Sequence, residues 1–177
     1  MPTLASHAGN AIPIHHSGRR ALLFPSGETR SIAYNWQNTW RTAVVEGAVL
    51  PRLYWRMRFL ATQAFEASDN AMFVLMSKTM SADAAVPAWE EVTQYINLNA
   101  RSPISADTVY NIALDLTNSF SALTYRKSAD FDTVLLRQGD HVDDNYAGDI
   151  IILNTRIAWL YNQATVDGET VFATLLV

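Results

Sequence analysis

Acidic side chains crowd one short stretch of this sequence, Asp140-His141-Val142-Asp143-Asp144-Asn145, and Asp149 follows closely. Hard cations such as calcium take about six to eight oxygen ligands. Asp140, Asp143, Asp144 and Asn145 offer such oxygens within one loop. The order of ligands is not that of an EF-hand, which needs a longer loop and a closing Glu. The competing reading is an acidic turn between strands. The histidines are His7, His15, His16 and His141. Three of them lie near the N-terminus, on what reads as an irregular arm, a poor place for a rigid metal or general-base site. His141 lies between carboxylates, yet no Ser or Thr near it has the setting of an activated nucleophile.

Basic chemistry is concentrated elsewhere. Arg52, Arg56 and Arg58 alternate along one segment with Tyr54 among them. Arginine interleaved with an aromatic ring suits phosphate contact and base stacking. A solvated strand face is the alternative. Arg19 and Arg20 add a small electrostatic footprint near the N-terminus. Against this stands the charge of the whole chain, −4, where a nucleic-acid binder usually carries a basic excess. There is no Gly-x-x-x-x-Gly-Lys and no Gly-x-Gly-x-x-Gly, the loops that cradle phosphates. Cysteine is absent, which removes disulfides, thiolate zinc sites and cysteine nucleophiles. The chain is therefore read as a non-enzyme with no resident cofactor, calcium in the acidic loop being possible.

These residues must be carried by elements, and the elements read mostly as strands. In 52–59, Leu53, Trp55, Met57 and Phe59 share one face and the arginines the other, the alternation of a half-buried strand. Residues 68–70 read as a turn and 71–77 as a returning strand. Residues 131–137 and 149–161 are apolar and rich in β-formers. Val166-Asp167-Gly168-Glu169 is an Asp-Gly turn between two apolar runs, hence a hairpin. Residues 88–99 read as a helix: Pro87 precedes them, Glu90 and Glu91 stand in the first turn, and Trp89, Val92, Tyr95 and Ile96 share a face. Residues 105–117 fit a strand through Tyr110, Ile112, Leu114 and Leu116, or a helix through Val109, Ala113, Leu116 and Phe120. Residues 1–31, rich in Pro and Gly and without apolar period, read as an extended N-terminal arm. Residues 32–177 then form a single globular domain. Residues 1–10 lack the charged start and apolar run of a signal peptide. No apolar stretch approaches the roughly 18 residues of a membrane span.

In its order of strands from Leu50 onwards, the chain resembles jelly-roll coat proteins of small viruses. Residues 50–59 resemble an early strand of plant single-stranded DNA virus coats. Residues 131–137 are similar to a middle strand, and 149–177 to the last two. The Asp140, Asp143, Asn145 cluster resembles coats whose subunit contacts hold calcium. The resemblance implies a mostly β, two-sheet sandwich of jelly-roll type with one or two connecting helices. It implies a virion structural protein, self-assembling in many copies, made in the host cytoplasm and resident in the virion. Such coats carry a strongly basic arm, and Arg19-Arg20 is a weak counterpart, so the viral genome is expected at the Arg52–Arg58 face if anywhere. Three alternatives stand beside it. One is an all-α bundle, such as a rod-shaped coat or phage connector subunit, favoured by the scarcity of Gly and by Trp36, Trp40, Ala43 and Gly47 sharing a helical face. The others are a β-barrel binding a small ligand, and a non-viral interaction module.

Overall fold

The computed structural model describes residues 9–36, 52–80, 92–98, 103–116, 130–166 and 169–176. In these, alternation of side chains is the rule, and the chain forms strands: β1 (Gly9–Asn10), β2 (Ile12–His16), β3 (Arg19–Phe24), β4 (Thr29–Trp36), β5 (Arg52–Ala61), β6 (Met72–Met80), β7 (Val92–Asn97), β8 (Tyr110–Asp115), β9 (Asp130–Gln138), β10 (Ile150–Val166) and β11 (Glu169–Leu176). One sheet has the order β1-β4-β9-β6-β7; the other has β2-β3-β10-β5-β8, with β11 also on β10.

From β3 to β10 the winding is that of a jelly roll. Antiparallel pairs β3·β10, β4·β9, β5·β8 and β6·β7 form a long folded ribbon, and β10·β5 and β9·β6 close it into two sheets. Such a double sheet hides most of its edges. The inner faces follow from period two. Trp55, Met57, Phe59 and Ala61 of β5 are fully buried, as are Phe24, Phe73, Leu75, Leu135 and Ile150 from both sheets. Phe24 and Phe73 meet edge to face across the layers at 5.4 Å, a geometry that aromatic quadrupoles favour.

The outer faces are not uniformly polar. Val74 and Met76 of β6 stand opposite Leu136 and Val134 of β9 and form a second buried cluster. Ala21, Leu60 and Ile151, on the neighbouring strands β3, β5 and β10, form a third.

Several expectations change. Residues 92–97, read as part of a helix, are β7. Tyr95 is exposed, Ile96 buried, Asn97 exposed, and the segment takes the free edge of β6. The Trp89 half of that pattern lies outside the described residues. No α-helix occurs among the described residues, which overturns the all-α bundle there; the connections 37–51, 81–91 and 117–129 lie outside the described residues. Within the ambiguous 105–117, Tyr110–Asp115 form β8, and Ile112 and Leu116 are buried in the core. Residues 71–77 do form a strand, but it does not return alongside β5. The connection 62–71 crosses the rim, and β6 enters the opposite sheet. Of the stretch read as an arm, 9–16 form β1 and β2. Arg19–Phe24 form β3, whose Phe24 is in the core.

The β2–β3 turn is Ser17-Gly18, both at positive φ, the two-residue turn whose twist matches a hairpin. Gly139 instead answers to space: a Cβ there would lie 2.5 Å from the Glu28 carbonyl oxygen. Gly18→Ala should therefore cost about 1 kcal/mol through left-handed strain alone. Gly139→Ala should cost more within a range of about 1–3 kcal/mol, because backbone must move. Urea unfolding of the two variants checks the order.

Candidate functional site

The acidic loop is the part of the sequence that reads most like a site, and its side chains, apart from the exposed carboxylate of Asp143, are engaged by the protein itself. Arg137 is the second-largest fully buried side chain, after Trp55. It points inward from the end of β9, between Leu135 and the turn at Gly139. A buried guanidinium needs acceptors for five N–H groups. Nε donates to Asp144 Oδ2 at 2.9 Å and Nη2 to Asp144 Oδ1 at 2.9 Å. Nη2 also donates to the Tyr146 carbonyl at 3.0 Å. Nη1 donates to the carbonyls of Phe24 and Gly148 at 2.9 and 3.1 Å. Asp144 Oδ2 further accepts the Met72 amide at 3.0 Å. Both side chains have no solvent exposure.

The neighbours are committed in the same way. Asn145 accepts the Asn70 amide through Oδ1 and donates to the Ser68 carbonyl. Asn70 Nδ2 donates to the Asp143 carbonyl. The Thr29 hydroxyl donates to Asp140. Asp149 Oδ1 accepts the Ser26 amide. The Tyr146 ring stacks on Phe65 at 4.0 Å. Its hydroxyl donates to the Gln63 carbonyl and accepts the Gln63 amide. Of the four residues expected to form a calcium loop, Asp140, Asp144 and Asn145 give side-chain oxygens to separate donors within the protein, forming a structural knot, and Asp143 is exposed. No group of three or more His, Asp or Glu side chains is placed to hold a metal among the described residues. His141, half-buried, accepts the Asp143 amide through Nδ1. That nitrogen is therefore taken by the loop.

The basic row on β5 fares differently. Tyr54, Arg56 and Arg58 lie on the outer face, opposite the buried Trp55, Met57 and Phe59. Arg52 belongs to β5, but its side chain lies outside the description. Arg58 is exposed and donates through Nε to Asn111 Oδ1 at 3.0 Å. The register puts Arg156 of β10 directly opposite Arg56. Like charges so placed repel, and Arg56 Nε is buried with no hydrogen-bond partner. Arg156 has no signal in the sequence, because a register shift between Ile152 and Asn154 decides which residue meets Arg56. Arg19 and Arg20 are not brought to this row. They project, exposed, from β3, paired with His16 and His15 of β2.

No protein-family model matches the chain, and no curated protein matches it.

Breaking a buried ion pair from one side costs about 3–5 kcal/mol, so Arg137→Met or Asp144→Leu should lower stability by that much. The double variant should recover part of the loss, which a double-mutant cycle in urea reads directly. Millimolar calcium should leave Tm unchanged; a clear rise would reinstate a metal site. Burial raises the Tyr146 hydroxyl above its ordinary pKa, against hydrogen bonds from Gln63 and Thr62 and the charge of Arg137. Tyr34 is raised by burial too. A raised folded pKa gives stability that is complete below the unfolded value and lost above it. Stability should fall as pH climbs past about 10, with a shallower fall in Tyr146→Phe.

Proposed function

We propose that the chain is a virion structural protein, a coat subunit that assembles with many copies of itself. The observation that carries the reading is a ribbon. β10 runs from Ile150 to Val166, and the described part of β5, which starts at Arg52, accompanies it to Leu160. From Tyr161 to Val166 its described partner is β11 alone. A two-stranded ribbon is marginal in water by itself, and edges that have no partner among the described residues are templates for another chain. A second copy is the occupant always at hand, and a head-to-tail contact of that kind builds rings or open arrays. The jelly-roll winding supports the same reading, since viral coats use it; lectins and cupins use it as well, so the ribbon, rather than the winding, favours assembly.

The Arg56–Arg156 pair favours one further element of this reading: the outer face of the β5 sheet meets the phosphates of a nucleic acid. Phosphate between the two guanidinium groups would relieve their repulsion, and Tyr54 on the same row offers a stacking ring.

Size exclusion with light scattering, followed by negative-stain microscopy, should find uniform particles far above the 19.7 kDa of one chain. A deletion of 161–177 should abolish them. A monomer at every concentration would overturn the assembly reading and leave an interaction module. Arg56→Ala/Arg156→Ala should leave assembly intact and weaken binding to single-stranded DNA. The slope of log affinity against log salt should fall by roughly 0.7 for each phosphate that the variant no longer neutralises; an unchanged slope would mean the row is merely solvated.

A further inference from the structure

β3 and β10 part company early. Their pairing runs only through Phe24, Leu23 and Leu22 against Ile150, Ile151 and Ile152. Beyond Leu22, β3 keeps its hydrogen bonds to β2 alone. β11 takes up the same side of β10 at Ala158. Residues 153–157 therefore have β5 on one edge and no described strand on the other. The register shift of β10 falls at this point, as expected where a bulge ends pairing and re-aims side chains.

The parting opens a cleft of about 510 Å³ between β2, β3, β4 and β10. That is within the range of about 300–1,000 Å³ typical of ligand sites. Its apolar walls include Pro13, Leu22 and Ile152. Its polar groups are His15, Arg20 and Asn154, with Tyr34 and Thr155 joined by a side-chain hydrogen bond. Arg20 and His15 stand opposite each other in register, and no Asp or Glu among the described residues lines the cleft. Arg20 is exposed.

We infer that this cleft binds an extended acidic peptide segment, which enters as a strand beside residues 153–157 and sets a carboxylate against Arg20 and His15. This edge, unpaired among the described residues, is a strand-length slot, roughly 17 Å at about 3.4 Å per residue. Main-chain hydrogen bonds to such an edge supply affinity, and pockets for alternate side chains supply choice. Here the apolar walls take one side chain and the guanidinium the next. A carboxylate would give Arg20 a charge-assisted pair, and a cationic segment would meet only repulsion. The inference does not depend on self-assembly, because the slot lies away from the ribbon beyond Leu160.

The test uses the full chain and two fluorescein-labelled peptides, Thr-Val-Thr-Glu-Thr-Val-Thr and its counterpart with Lys at the centre. Polarisation should show the Glu peptide binding at least tenfold more tightly. Hydrogen exchange should slow at residues 153–157. Arg20→Glu, at an exposed position outside the core, should reverse the preference between the peptides, which a merely destabilised protein cannot do. Equal affinity for both peptides, protection elsewhere, or no binding would overturn the inference. N-acetylglutamate binding as tightly as the peptide would also overturn it, by showing a small-anion pocket rather than a strand slot.

Discussion

One buried cation organises an entire rim of this molecule. Arg137 sits where period two demands an inward residue, and an inward guanidinium in a core of Phe, Leu and Ile is untenable unless every N–H finds an acceptor. The chain meets that demand by folding the 139–149 loop back over the end of β9. Asp144 neutralises the charge, and the carbonyls of Phe24, Tyr146 and Gly148 take the remaining donors. Because those acceptors come from β3's end and from the loop, and Asp144 also holds the first amide of β6, the positions of several elements follow from one side chain. Gly148 belongs to the same constraint: any Cβ there would run into the Tyr146 ring, whose hydroxyl ties the loop to Gln63.

An ion pair of this kind is weak as a source of net stability, since desolvation offsets much of its attraction. Its worth is geometric. A jelly roll wound in order β3 to β10 crosses between sheets at its rims, and each crossing leaves loop backbone to satisfy. The knot satisfies it for three at once: β3 to β4 through Asp149 and Ser26, β5 to β6 through Asn145 and Asn70, and β9 to β10 through Arg137.

The strands were legible because alternation is local. Leu53 through Phe59 shows its two faces without any knowledge of a partner, and the Asp-Gly turn marks β10 and β11. Residues 88–99 misled for the same reason: Val92, Tyr95 and Ile96 fit a helical stripe, and only the open edge of β6 makes 92–97 a strand. Tertiary pairing overrides such propensity routinely. The acidic loop misled more instructively. Composition reveals oxygens but not their donors, and the donor that matters, Arg137, reads in sequence as an ordinary strand residue beside Gln138. The outer face with Arg56 and Arg58 was legible in the alternation, whereas Arg156 became part of it only through register.

β10 joins the closed and open parts of the molecule. Up to Ile152 it is an inner strand held by β3 and β5, and its Ile150 and Ile152 are core. After the register shift it loses β3, places Arg156 against Arg56 and then passes beyond the described part of β5. The cleft edge, the opposed arginines and the ribbon all lie on that second half. The knot rim, by contrast, has its polar groups tied inward. A shift of one residue in register inverts the faces of everything after it. Bringing Leu153 into the ladder would therefore set Arg156 opposite Trp55, on the core face, so the irregularity that interrupts the sheet is also what holds the two arginines together on its outer side.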